Sequence, residues 1–315
     1  MTAAMACAAW GTAPAHAAIS ITETDADSFR YATAPNWTLL GTGTAFSGVA
    51  WTPHLTANPA GTDPAGAGWL RLTENVNLQA GTAVYNTAFS RAEGLQIIFD
   101  YVAYGHSSSE DADGIAFYLI DGSTVSPTLG SYSGSLGYVG VTKGYVGVGL
   151  DEWDNCASPP CNPSPSQNQR VVVWGAAPSF PFLISPIYLS GTALGQISTT
   201  QSDRSDARTV RITISPASSA LPPTVTVEIN PNDGVTGFVK VIDALSLAGN
   251  GPVPATFKLG ISASTGGANN IHEVRIRSAK TLVSAVPTLG ESTLGALAVL
   301  LALLTLPALR RRFKN

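Results

Sequence analysis

Three short motifs between Asp111 and Asn155 set small polar side chains at the ends of apolar runs: DADGIAFYL, GSLGY and VGVGLDEWDN. They bring forward Asp113, Gly134 with Ser135, Asp151, Trp153 and Asn155. A carboxylate accepts hydrogen bonds from two hydroxyls, and a carboxamide both donates and accepts. A glycine lets a ligand approach the backbone, and an aromatic face packs on the C–H face of a ring. Converging, these groups are the equipment for holding a sugar. Taken singly, Asp113 is also an Asp-Gly turn opening a strand, and Trp153 is also a core residue.

Such groups need rigid elements to hold them, and the sequence supplies strands. Leu95–Tyr104 (LQIIFDYVAY), Gly114–Ile120 (GIAFYLI), Tyr145–Leu150 (YVGVGL) and the RVVVWG run from Arg170 are apolar stretches that fit central strands. Ala207–Ile214 and Pro223–Asn230 alternate apolar and polar residues and predict an antiparallel hairpin. Thr256–Ser264 and Ile271–Ser278 predict a second strand pair around TGGANN. The one helix-like body segment is Val241–Gly249 (VIDALSLAG). No composition break divides residues 19–283, so the expectation is one all-β domain of two packed antiparallel sheets, a jelly roll.

The order and spacing of these motifs resemble the L-type (legume-like) lectins, in particular their bacterial members. Further matching text is WLRLTENVNLQAGTAVYNTAF (Trp69–Phe89) and KLGISASTGGANNIHEVRI (Lys258–Ile276). The resemblance implies a concanavalin A-like jelly-roll β-sandwich that binds carbohydrate without transforming it. It implies that Asp113 receives two sugar hydroxyls and follows a cis Ala112–Asp113 peptide. Gly134 or Ser135 would offer a backbone N–H, Trp153 would stack on the ring, and the Asn155 amide would bond it. The loop Thr265–Asn270 would tune the choice of monosaccharide, through the main-chain N–H groups of Gly267 and Ala268.

The family also holds a calcium ion and a transition metal. Its ligands run Glu-x-Asp, then a backbone carbonyl and an Asn, then a second Asp and a His. Here Gly149 stands at the first Glu, while Asp151, the Trp153 carbonyl and Asn155 match. The following CASPPCNPSPSQ supplies neither the second Asp nor the His. The transition-metal site is therefore expected to be lost, since it wants imidazole and carboxylates. Calcium takes roughly six to eight oxygens and accepts carbonyls, amides and water. Its candidates are Asp151, Trp153 and Asn155, with Glu152 or Asp154 beside them. Cys156 and Cys161 bracket the same loop and, in an exported protein, are expected to close it as a disulfide. That clamp is an alternative to the ion.

Composition and the two ends point outside the cytoplasm. Only 12% of the 315 residues are charged and the net charge is −4, so nucleic acid is not an expected partner. Residues 1–18 are Ala-rich and close on AHA, which predicts a signal peptide with a shortened start; a plain Ala-rich leader is the alternative. Leu294–Leu309 is continuously apolar and precedes Arg310, Arg311, Arg312 and Lys314. This predicts a C-terminal transmembrane helix with residues 310–315 as a basic cytoplasmic tail. Within residues 284–293, VPTLGES (Val286–Ser292) followed by the span and the Arg tail resembles the IPTL-CTERM sorting signal of Gram-negative bacteria. That implies a sortase-like processing protease, although Ser292 or Thr293 stands where the family carries Trp. The expected protein is thus a lectin at the bacterial cell envelope, tethered or processed at its C-terminus. Pairing into a homodimer stays open. Two rival functions remain. A glycoside hydrolase of this fold carries Glu-x-Asp-x-x-Glu with carboxyls about 5–5.5 Å apart, and the comparable register here is Gly149, Asp151 and Asp154. A structural or adhesive surface protein would keep the fold with a degenerate sugar site.

Overall fold

The structure, a computed structural model, describes residues 18–44, 48, 50–58, 61–105, 111–153, 169–189 and 203–283. Its strands in chain order are β1 (Ser20–Thr22), β2 (Trp37–Thr42), β3 (His54–Leu55), β4 (Leu70–Thr73), β5 (Ala80–Tyr85), β6 (Phe89–Ser90), β7 (Leu95–Tyr104) and β8 (Gly114–Asp121). They continue as β9 (Gly144–Asp151), β10 (Arg170–Trp174), β11 (Ile187–Tyr188), β12 (Arg208–Ile214), β13 (Thr224–Asn230), β14 (Val239–Ser246), β15 (Thr256–Ser264) and β16 (Ile271–Lys280). All pairings between them are antiparallel, and they make two 8-stranded sheets. The back sheet runs β14-β13-β12-β7-β16-β4-β3, with β1 beside β16. The front sheet runs β11-β10-β9-β8-β15-β5-β2, with β6 beside β15. Among the described residues no helix is long and apolar enough to cross a membrane. Residues 1–17 of the expected leader, the sorting motif, the expected span at 294–309, Asn155, Cys156 and Cys161 lie outside the described residues.

The core between the sheets is built by alternation. Val210, Ile212 and Ile214 of β12 and Val225, Val227 and Ile229 of β13 face Phe117 and Leu119 of β8 and Leu259 and Ile261 of β15 within one buried cluster. The front sheet is also buried on its other face. A loop layer lays Leu136, Tyr138, Val141 and Phe180 over Ala116, Tyr118, Val172 and Trp174. That second covering explains why β8, β9 and β10 read as unbroken apolar runs rather than as half-polar strands. It also explains the glycines of β9. A Cβ at Gly147 would stand 2.4 Å from the Tyr138 ring, and one at Gly149 would stand 2.4 Å from Trp174. The outer face of the back sheet is polar instead and is held by arginines. Arg275 and Arg277 bond Asp100, Arg71 and Arg204 bond Glu273, and Arg211 bonds Glu228.

Two sequence expectations differ from the observed elements. Val241–Gly249 is not helical: Val241–Ser246 belong to β14 at the edge of the back sheet, and Leu247–Gly249 leave it in a turn. The register between β13 and β14 shifts at Val225/Val227 and again at Val227/Glu228. Val239, Ile242 and Leu245 consequently stand opposite Ile229, Val227 and Val225. Two bulged steps set apolar residues three apart, which is the helical spacing the sequence displays. The second correction concerns β15 and β16, which form no hairpin. β15 pairs with β8, β5 and β6 in the front sheet, and β16 with β7, β4 and β1 in the back sheet. The 265–270 loop is thus a crossing between sheets.

Candidate functional site

The front sheet's register gathers the sequence motifs at one edge. Ala80, Ser264, Gly114, Asp151 and Arg170 are successive cross-strand partners, so β5, β15, β8, β9 and β10 all begin or end on one line. Asp113 sits immediately outside that line. The Ala112–Asp113 peptide is cis, as the resemblance implies. The Asp113 N–H donates to the Ser264 carbonyl at 2.9 Å, and its own carbonyl accepts from the Glu152 N–H at 2.8 Å. The next residue must be glycine: Gly114 has φ of +133, and a Cβ there would stand 2.1 Å from the Leu150 carbonyl oxygen. Backbone bonds on both sides therefore fix the aspartate, which is 1% exposed.

Two loops close around its carboxylate. The Ser133–Ser135 turn is seated on β15, where Ser264 Oγ donates to the Ser133 carbonyl at 2.6 Å and Ser262 Oγ donates to the Leu136 carbonyl at 2.7 Å. Gly134 and Ser135 are buried within that turn. The 265–270 loop arrives from the other side. A Cβ at Gly266 would stand 2.7 Å from Asp113 Oδ2 and 2.8 Å from Ser133 Oγ. The carboxylate and the hydroxyl thus both face the Gly266 position, which has no side chain. Gly267, next to it, has nothing within 4 Å of its own Cβ position and opens to solvent. The loop's shape is held by Asn77, whose Nδ2 donates to the Gly267 carbonyl at 2.9 Å and whose Oδ1 accepts from Asn269 Nδ2 at 2.5 Å. The Leu78 N–H donates to the Gly266 carbonyl at 3.2 Å, and the Gly266 N–H to the Ala268 carbonyl at 3.1 Å.

The acidic pair at the end of β9, Asp151 and Glu152, splits in two directions. Asp151 turns along the sheet: its Oδ2 accepts from Arg170 Nε at 3.0 Å and Nη2 at 2.9 Å, with both side chains sealed from solvent. Its Oδ1 accepts from the Trp153 N–H at 3.1 Å. Glu152 turns inward and bridges to the back sheet. Its Oε2 accepts from Asn270 Nδ2 at 2.8 Å, and its Oε1 lies 3.0 Å from His272 Nε2. His272 Nδ1 meets Thr73 Oγ1 at 2.6 Å. Thr73, Glu152, Asn270 and His272 are all 0% exposed. Close by, burial pushes the Tyr101 phenol up to about 12, with the Glu152 charge adding to the rise and Arg208 opposing it.

These contacts decide how a metal ion would fit. Asp151 is the one carboxylate of the expected calcium set among the described residues whose role the sequence assigned first. Both of its oxygens are engaged, and a guanidinium stands at hydrogen-bond distance where a second cation would be repelled. Gly149, at the family's first Glu, lies under the Trp174 ring. Among the described residues no group of three or more His, Cys, Asp or Glu side chains is placed to hold a metal. The described residues therefore do not fit calcium at Asp151.

The structure brings Asp113, the Ser133–Ser135 turn and the Gly266–Ala268 segment together, and it places Trp153, half-buried, beside Asp151. Sequence reasoning did not single out Arg170, Asn270, Thr73, Ser133, Gly266 or His272. One signal was available for Arg170, a charge opening an otherwise apolar strand. His272 had none, because its partners Thr73 and Glu152 lie 199 and 120 residues away in sequence.

No model of a known protein family matches the chain, and no curated protein matches it. Solved structures do match. The lectin from Bauhinia forficata in complex with GalNAc is 16% identical with a TM-score of 0.53, over 85% of this chain and 100% of that one. Peanut lectin with a nine-residue peptide is 19% identical with a TM-score of 0.51, over 84% of this chain and 95% of that one. These likenesses show the fold, the two-sheet jelly roll of legume-type lectins.

Proposed function

We propose that this chain is an exported carbohydrate-binding protein of the bacterial cell envelope, with its sugar site at Asp113. One observation carries the reading: the Asp113 carboxylate and the Ser133 hydroxyl converge closely on Gly266, beside the open Gly267, at the rim where five strands terminate. A carboxylate so enclosed accepts hydrogen bonds that are stronger than in water. The open surface at Gly267, where an added Cβ would meet nothing within 4 Å, leaves room for a ring beside the carboxylate, and the Ser133–Ser135 turn adds hydroxyl and backbone groups that suit vicinal hydroxyls. The fold shared with a lectin solved with GalNAc supports the same reading.

The state of the acids supports binding without chemistry. Glycoside cleavage needs two carboxyls poised across the bond. Asp151 is ion-paired with Arg170, and Glu152 is buried against Asn270 and His272. Neither stands ready to give a proton to a leaving group or to attack an anomeric carbon. Export and tethering rest on the Ala-rich leader, the apolar stretch at 294–309 and its Arg-rich end. A single shallow site binds weakly, so surface display would supply the avidity.

The test is a glycan array on the full chain beside Asp113→Asn, which keeps shape and removes the charge. Wild-type binding that falls at least about tenfold in the variant is expected, as for loss of a charge-assisted bond pair. An array silent for the wild type would sink the proposal.

A further inference from the structure

We propose that Arg170 is the resident cation of this site, so that glycan recognition at Asp113 needs no divalent metal ion. The inference rests on the sugar reading and adds how the site is held. A metal under such a loop would do two things: neutralise the acidic residue at the end of β9 and fix the backbone beyond it. Both are done here by the chain. Arg170 and Asp151 are direct cross-strand partners, and the guanidinium puts two donors on Oδ2 while both side chains are at most 1% exposed. The neutralised carboxylate then holds the Trp153 N–H through Oδ1. Between them lies Glu152, whose N–H bonds the Asp113 carbonyl and whose carboxylate is anchored by Asn270 and His272. Arg170 is thus a positioning residue that acts on Asp113 through Asp151 and the 151–153 backbone. A guanidinium suits the task because it stays charged at every physiological pH and its planar fork fixes direction as well as charge. A chelator cannot remove it. The side chain of Trp174 over Gly149 seals the same face with apolar surface, where a ligand carboxylate would otherwise be expected.

The experiment passes the full chain over immobilised glycans with hexose and N-acetylhexosamine termini, once in EDTA and once in calcium chloride. The same glycans bound with equal strength are expected. Binding that disappears in EDTA would overturn this inference and leave the sugar reading standing. Silence in both conditions would end the sugar reading, and this inference with it. Arg170→Gln is then measured on the strongest glycan. Without the guanidinium, Asp151 becomes a buried charge with no counterion, and affinity in EDTA is expected to fall by about tenfold or more, the usual scale for losing a group that orients a site. Arg170→Lys, which keeps the charge, is expected to bind in EDTA. An Arg170→Gln chain that binds like the wild type in EDTA would overturn the assignment. Should that variant fail to fold, calorimetric titration of calcium into the wild type decides: no heat supports Arg170 as the cation, and a stoichiometric heat refutes it.

Discussion

At Gly266 and Gly267 two adjacent glycines have opposite meanings. A methyl at Gly266 would enter the space shared by Asp113 Oδ2 and Ser133 Oγ, whereas one at Gly267 meets nothing within 4 Å. Gly266→Ala is therefore expected to displace the carboxylate and abolish glycan binding. Gly267→Ala is expected to leave stability within about 0.5 kcal/mol of wild type, the usual range for an open surface position. Thermal melts with array binding for both variants check this, and equal behaviour of the two would refute the assigned geometry. The contrast also shows how far the site was legible. Asp113 could be read because its neighbours in sequence, a small residue before and a glycine after, are also its constraints. The 266–268 segment could be placed near it only through the family resemblance. Glu152, His272 and Thr73 were out of reach, because each owes its role to a side chain brought from another sheet. Arg170 was visible as a residue but not as a partner, since its meaning depends on the β9–β10 register.

Among the elements, β9 shows how one strand serves two layers. Val146, Val148 and Leu150 point into the sandwich, while Gly147 and Gly149 make room for Tyr138 and Trp174 on the opposite face. Gly149→Ala forces the Trp174 ring or the strand to move, and overpacking of this kind costs about 1–3 kcal/mol. A fall in the denaturation midpoint is expected, with partial recovery when Trp174→Leu is added, because contacting residues couple rather than add. An unchanged midpoint for Gly149→Ala would mean that the loop layer does not press on the sheet. The strands themselves were readable where one face is polar, as in β12 and β13, since alternation is then written in the sequence. β14 was misread because its bulges replace a two-residue period with a three-residue one. The β15–β16 pair was misread for a topological reason. A six-residue glycine-rich connection joins hairpin partners and sheet-crossing strands equally well, and nothing local separates them.

Across the whole molecule the all-β class was legible from composition and pattern, but the order of strands was not. Sheet neighbours such as β7 and β16 pair across most of the chain, from Gln96↔Lys280 to Tyr104↔Ile271. The sandwich with its loop layer also sets a property that belongs to no single element. Six of the nine tyrosines, Tyr85, Tyr101, Tyr104, Tyr118, Tyr138 and Tyr145, have phenols raised by burial. Tyr101 and Tyr104 on the back sheet are pushed up to about 12 from the ordinary 10.0, Tyr104 with help from the Glu273 charge. Tyr118 and Tyr138 lie on the far side of the front sheet, under the loop layer. A folded-state value above the unfolded one means that the native state holds its protons more tightly. The associated stability is fully present below pH 10 and is lost as pH rises from 10 through 12. Urea midpoints are therefore expected to hold steady up to about pH 10 and to fall steeply above it. The part of the near-ultraviolet tyrosinate rise that belongs to the sealed Tyr101, Tyr118 and Tyr138 should come only with loss of the β-sheet signal, because those phenols reach water when the sandwich or its loop layer opens. Complete tyrosinate formation on an intact sheet would show that water already enters beneath the 131–143 loop, and with it that the site's supporting layer is looser than the packing of Tyr138 against Gly147 implies.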